Sequence, residues 1–340
     1  MLARRGFAFA SLAGAVCAVA AIGAEVTLVS GGSTFIFPIF AKWTLAYQKL
    51  HPDIQISYDP VGSGKGIGRI IAGTVDFAAS DGPLSDAQLH HASKKILHIP
   101  AVLGAVVPAY NLPGISQDIR FTPAALAGIF LGTIKRWNDP ELVRANRGVP
   151  LPANEIGVVF RLDGSGTTYV WTDYLSKVSS QWNKQVGRGT TVSFPLGQAA
   201  NYNEGVAALI KAHPYSLGSL QITYAVEGHI QHGRVQNSSG VFVKAESAGI
   251  TAAAAATATD MPADFRASIT NAADPDAYPI SSFTWFLVPA HIEDRQKREA
   301  LAGFLRWTLT EGQKFAAPLD YAPLPGDVAL RVRKVVDQIQ

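Results

Sequence analysis

The 340 residues, 48% hydrophobic and 16% charged, are enough for two packed lobes and too apolar for a disordered chain. The formal charge of +3 includes Arg4 and Arg5, which lie in a segment expected to be removed; without them 27 basic residues face 26 acidic ones, a balance of +1. A charge so near zero gives no footprint for nucleic acid or a membrane surface, and no nucleic-acid partner is expected.

Residues 1–24 read as an export signal: Arg4 and Arg5 precede an apolar stretch over residues 7–22, with small residues before Glu25. The stretch is short for a membrane span. Paired arginines near a start are common and weak evidence for a twin-arginine route. The single cysteine, Cys17, falls in this segment, and Val16 stands where a lipid anchor requires a small residue. The mature chain then lacks thiols and is indifferent to an oxidising compartment.

From Glu25 strand and helix patterns alternate, which predicts an α/β lobe with a largely parallel sheet. The run Val26-Thr27-Leu28-Val29 leads into Ser30-Gly31-Gly32-Ser33-Thr34-Phe35 and a helix with Ile39, Phe40, Trp43, Tyr47 and Leu50 on one face. The alternating strand 54–58 leads into Gly62-Ser63-Gly64-Lys65-Gly66 and a short helix carrying Ile67, Ile70 and Ile71. A third strand, 75–80, ends at Asp81. The apolar run 101–110 is long for one strand and is expected to cross into a second lobe. That lobe is predicted to hold a helix over 123–131, a turn at 135–140, a helix over 200–212, a strand-like run at 219–225 and an alanine-rich helix at 251–258. Residues 281–288 are expected to cross back, and helices over 296–309 and 327–339 to complete the first lobe. The expected division is thus 25–103 with 284–340 as lobe I, and 104–283 as lobe II. There is no internal repeat of solenoid length.

The strand 156–160 enters Arg161-Leu162-Asp163-Gly164-Ser165-Gly166-Thr167-Thr168, after which Trp171, Tyr174, Leu175 and Val178 mark one helix face. A helix start leaves N–H groups without partners and carries partial positive charge, so this turn can present donors to an anion, and Arg161 adds a planar fork. An ordinary turn, with Asp163 or Ser165 as cap and Arg161 paired to Asp163, fits that stretch equally well. Three such Gly/Ser turns opening three helices point instead to helix N-termini converging on one small anion. The competing chemistries fail on residue type. Gly66 follows Lys65 where a phosphate-binding P-loop needs Ser or Thr, and Asp163 stands where a nucleophile elbow needs its first glycine. His90-His91 are adjacent, and His229 and His232 lack a carboxylate cluster, so no metal or cofactor is expected.

The run from Ala41-Lys42-Trp43 through Ile71-Ala72-Gly73-Thr74-Val75-Asp76-Phe77-Ala78-Ala79-Ser80-Asp81-Gly82-Pro83-Leu84-Ser85-Asp86 resembles the periplasmic phosphate-binding protein of the bacterial ABC phosphate transporter. The likeness continues, in order, through residues 161–168, Pro195-Leu196-Gly197, Tyr278-Pro279-Ile280-Ser281-Ser282 and Leu319-Asp320-Tyr321-Ala322-Pro323-Leu324-Pro325, and so covers nearly all of the mature chain. It implies a two-lobed Venus-flytrap fold, α/β in class, with mostly parallel sheets flanked by helices and two hinge crossings. It implies inorganic phosphate held dehydrated between the lobes by Thr34, Phe35, Ser63, Asp81, Arg161, Ser165, Gly166 and Thr167, with Asp163 pairing Arg161 beside the anion. It further implies a periplasmic monomer that passes its ligand to the permease subunits of an ABC transporter, breaking no bond. There are two departures: Gly64-Lys65 replaces small residues and is expected to put charge near the cleft mouth, and Gly82 after Asp81 is expected to loosen its loop. Other readings are a sulfate or molybdate binder, against which Asp81 argues, and a secreted phosphate-monoester hydrolase, for which no nucleophile or metal cluster is evident.

Overall fold

The computed structural model describes residues 25–340, and the expected export signal at 1–24 lies outside the described residues. Three βα units come first: β1 (Val26–Gly32) with α1 (Phe37–Leu50), β2 (Ile54–Asp59) with α2 (Ser63–Ile71), and β3 (Phe77–Ser80) with the short α3 (Asp86–His91). Ile39, Phe40, Trp43 and Tyr47 of α1 are buried as their spacing predicts. Leu50 is not: it is the helix's last residue and stands 64% exposed, where the apolar face has run out of partners.

The fifteen-residue strand β4 (Ile96–Tyr110) follows, buried at almost every position because neighbours cover both faces. Then come β5 (Arg120–Phe121), α4 (Pro123–Leu131), α5 (Pro140–Ala145), β6 (Gly157–Arg161), α6 (Gly166–Val178), α7 (Ser180–Gln185), β7 (Gln198–Ala200) and α8 (Tyr202–Ala212). The chain continues through β8 (Ser216–Gln221), α9 (Ile222–Glu227), β9 (Gln231–His232), β10 (Arg234–Gln236), β11 (Phe242–Val243) and α10 (Ser247–Ala255). It closes with β12 (Ser281–Pro289), α11 (Arg295–Thr308) and α12 (Gly326–Val336). The strand expected over 219–225 is corrected here. The side chain of Gln221 accepts from the N–H groups of Thr223 and Tyr224, caps α9 and so ends β8 before the β-branched pair Ile222-Thr223.

The main sheet runs β2-β1-β3-β12-β4-β8-β6-β7. β1, β2 and β3 are parallel, β12 enters antiparallel between β3 and β4, and β6, β7 and β8 are parallel to one another. Its two halves share β4: from Ile96 to Ala105 that strand pairs β12, and from Val106 to Tyr110 it pairs β8. The chain returns to the first half at Ile280, whose carbonyl takes the N–H of Val106 at 2.9 Å. The first half is sealed by an aromatic cluster in which Phe40, Phe77, Phe286 and Phe304 meet at centroid distances of 5.5–6.3 Å.

Candidate anion-binding site

The C-terminal ends of β1, β3 and β6 and the starts of α2 and α6 meet between the two halves. Gly62 caps α2 with φ 90°, a backbone open to glycine, and an added Cβ would lie 2.5 Å from Asp163 Oδ2. The loops touch directly: the N–H of Gly64 donates to the carbonyl of Gly164 at 2.8 Å. Across the same seam Asn203 Nδ2 donates to Thr34 Oγ1 at 2.9 Å, and the Tyr224 hydroxyl donates to the Thr34 carbonyl at 2.7 Å. The cleft is therefore closed.

Asp81 lies at its centre, with no exposed surface. Thr284 Oγ1 donates to its Oδ1 at 2.5 Å; Ser33 Oγ donates to Oδ2 at 2.5 Å and Ser63 Oγ to the same oxygen at 3.4 Å. Burial pushes this carboxyl up to about 6, against the pull of Ser33, Thr284, Arg161 and Ser63. Opposite it, Gly166 comes so close that a Cβ there would stand 2.1 Å from Asp81 Oδ2.

Arg161 ends β6 with its side chain only 1% exposed. Its Nε and Nη2 form a fork onto Asp163, at 2.7 and 2.5 Å, and Asp163 Oδ1 is fixed in turn by the N–H of Tyr202 at 2.9 Å. Its third nitrogen, Nη1, is buried without a partner among the described residues. Ser165 caps α6, its Oγ accepting from the N–H of Thr168 at 3.1 Å. Gly166 and Thr167 are the next two residues, so their N–H groups have no acceptor within the helix. The Thr167 hydroxyl donates to Asn203 Oδ1 at 3.4 Å.

The first turn is held by its carbonyls. The Tyr58 hydroxyl donates to that of Ser33 at 2.7 Å, the Tyr224 hydroxyl to that of Thr34, and the Tyr321 hydroxyl to that of Phe35. The Phe35 ring packs against Gly104 of β4 and Tyr321, and its N–H donates to Ser33 Oγ at 3.0 Å.

Thr34, Ser63, Asp81, Arg161, Asp163, Ser165, Gly166 and Thr167 thus line one seam, and Phe35 enters it through its backbone. Packing bears on one of the two departures. Lys65 is exposed on α2. Gly82 does not loosen its loop: the Tyr169 ring from α6 packs on it, and a Cβ would meet that ring at 2.7 Å. Ser33, Asn203, Tyr224 and Thr284 escaped the sequence reading. Ser33 shares a turn with Thr34, and Thr284 stands in the hydroxyl run from Ser281, a usable signal; Asn203 and Tyr224 carry no local mark.

A family model described as a PBP superfamily domain matches residues 18–311. A phosphate-binding protein PstS from Pasteurella multocida is 38% identical over 90% of this chain and 89% of its own. The chain belongs to the PstS family. A PstS from Xylella fastidiosa is 37% identical over 91% of this chain and 84% of its own. A high-affinity periplasmic phosphate-binding protein, PfluDING, solved bound with phosphate, superposes with a TM-score of 0.72 at 19% identity, covering 91% of this chain and 93% of that one. At that identity the likeness speaks for the fold, a two-lobed α/β periplasmic-binding-protein architecture.

Proposed function

We propose that this PstS-family chain is an extracytoplasmic binding protein that captures inorganic phosphate in the closed seam and delivers it to the permease subunits of an ABC importer. The observation that carries this reading is Arg161 Nη1, a buried guanidinium nitrogen without a partner among the described residues, on the side chain that ends β6 at the seam, where the N–H groups at the start of α6 also lack helical acceptors. Leaving such a donor unmet is costly, and a small oxyanion satisfies it. Thr34, Phe35, Ser63, Ser165, Gly166 and Thr167 supply the remaining donors, while Asp163 holds the fork. Asp81 supplies the selection. A carboxylate beside an oxyanion repels it unless a shared proton lies between them; phosphate brings one near neutral pH and sulfate does not. Function here is capture, closure and release with no chemical step. The lobes are expected to part about the mid-strand switch in β4 and the return at 280–281, giving working units of 25–105 with 281–340, and 106–280. Periplasmic residence after signal removal and a monomeric state belong to the same reading; among the described residues no helix is long and apolar enough to cross a membrane.

Isothermal titration with phosphate, arsenate and sulfate tests it. Phosphate should bind tightly and sulfate more weakly, by a margin that widens as pH rises above the titration of Asp81, since sulfate must find that carboxyl protonated. Equal affinities would overturn the role of Asp81, and no phosphate binding would overturn the whole. Steady release of a chromophore from a phosphate monoester would favour the hydrolase instead.

A further inference from the structure

β12 passes through the middle of the sheet, and its ladder with β3 ends at Trp285 opposite Ser80. One step further in the same register sets Thr284 against Asp81. On its other side β4 inserts one extra residue: Thr284 pairs Val102 and Trp285 pairs Pro100, so Ala101 is skipped. Pro100 has no N–H for the ladder, and a bulge there is the ordinary outcome. The result is a fully buried threonine whose hydroxyl donates to Asp81 Oδ1 at 2.5 Å. Ser33 donates to the other oxygen at the same distance. The nearby Ser282 Oγ donates to the Asp81 carbonyl at 3.2 Å, so β12 fixes both the backbone and the side chain of this residue.

We propose that Thr284, seconded by Ser33, sets the anion selectivity of the site: donating to opposite oxygens of Asp81, the two hydroxyls hold it ionised and immobile, so that only an oxyanion carrying its own proton completes the seam. This rests on the phosphate reading above. Two short donors stabilise the carboxylate over the acid, because a protonated carboxyl surrenders acceptor capacity. Burial acts in the opposite sense and is the larger effect, leaving the group at about 6. The other groups facing Asp81 are Arg161 from β6, which favours its charge, the phenols of Tyr58 from β2 and Tyr321 from the C-terminal loop, and the weaker donor Ser63 from α2. None replaces a hydrogen bond to Oδ1. Without the Thr284 hydroxyl Asp81 keeps its proton to higher pH, donates it, and accepts a fully ionised oxyanion.

The test is the ratio of phosphate to sulfate affinity, by titration calorimetry from pH 5.5 to 8.5, for wild type, Thr284→Val and Thr284→Ser. Wild type should take sulfate measurably only at the acid end. Thr284→Val should move the midpoint of sulfate binding up by about one unit, a gain in sulfate affinity of about fivefold at pH 7 that approaches about tenfold by pH 8, and Thr284→Ser should restore the wild-type profile. If β12 does not tolerate valine, Ser33→Ala removes the other short donor and should move the midpoint the same way. A valine variant with the wild-type ratio and midpoint overturns the proposal, as does a serine variant that behaves like valine. The phosphate reading itself fails only if wild type does not bind phosphate, so the two failures are distinct.

Discussion

Gly166→Ala is the sharpest probe of the seam, because it adds one methyl group and no charge. Gly166 is not in the left-handed region, so alanine is free to adopt its backbone and the substitution tests space alone. The new Cβ would stand 2.1 Å from Asp81 Oδ2, 2.5 Å from Ser63 Oγ and 2.7 Å from Asp81 Cβ. Ordinary non-bonded contacts lie near 3.5 Å, so the lobes must stay apart by about 1 Å at this point. That separation stretches the Gly64–Gly164 and Asn203–Thr34 bonds, at 2.8 and 2.9 Å, beyond useful length and admits water to Arg161. Losing two charge-assisted contacts to the anion costs about 3–6 kcal/mol, a roughly hundredfold to ten-thousandfold loss of phosphate affinity. The unliganded protein should melt almost unchanged, since alanine is a good residue in the first turn of a helix. Gly68→Ala on the outer side of α2 is the control: a Cβ there meets nothing among the described residues within 4 Å, so binding should hold while stability rises by about 0.5–1 kcal/mol. Calorimetric titration of both variants, with unfolding curves, decides the matter. Wild-type affinity in Gly166→Ala, or an equal loss in Gly68→Ala, would refute the closed-seam reasoning.

Arg161→Ala should cost about 2–5 kcal/mol of phosphate binding, because it leaves Asp163 buried and unpaired, whereas Lys65→Ala should alter mainly the association rate and its salt dependence; equal losses would put Arg161 at the rim. Phosphate should reduce the scattering radius and change tryptophan emission, since Trp171 lies on the anion helix and Trp285 beside Thr284; an unchanged radius at saturation would count against lobe movement. Acid stability is set by two opposed groups. Burial depresses His98 from 6.5 to about 4, so its contribution is full above pH 6.5 and lost as pH falls toward 4. Asp81 is raised from 3.8 to about 6, so its contribution is full below pH 3.8 and lost as pH rises through 6. Unliganded Asp81→Asn removes the second, and its urea midpoint should fall more steeply than wild type's between pH 6.5 and 4; parallel curves would remove Asp81 from the balance.

What the sequence disclosed and what it withheld follow one division. The three strand-turn-helix units, the Arg161–Asp163 fork and the place of Asp81 were legible because each is written in neighbouring residues, by period, by a Gly/Ser turn or by a motif. The Thr284 and Asn203 contacts were not, since each joins side chains more than 150 positions apart in the sequence and only closure of the sheet or of the seam brings them together. The strand 219–225 was misread because Ile222 and Thr223 favour strands by propensity, while the capping oxygen of Gln221 decides otherwise. A glycine alone does not reveal the Tyr169 ring that needs its space, so the fit at Gly82 is not legible in the sequence.

The insertion of β12 between β3 and β4 also fixes the order in which the molecule can be built. Residues 106–280 are contiguous and contain all the strands of the second half beyond β4's own contribution, so that half can assemble as soon as it emerges. The first half cannot. β3 and β4 leave a gap that is filled only when residues 281–289 arrive, about 170 positions later, and until then both strands present unpaired, strongly apolar edges. The half that is encoded first is therefore completed last, and the interval in which it waits open is the one in which a partner that shields strand edges, or a competing copy of the same chain, determines the yield of folded protein.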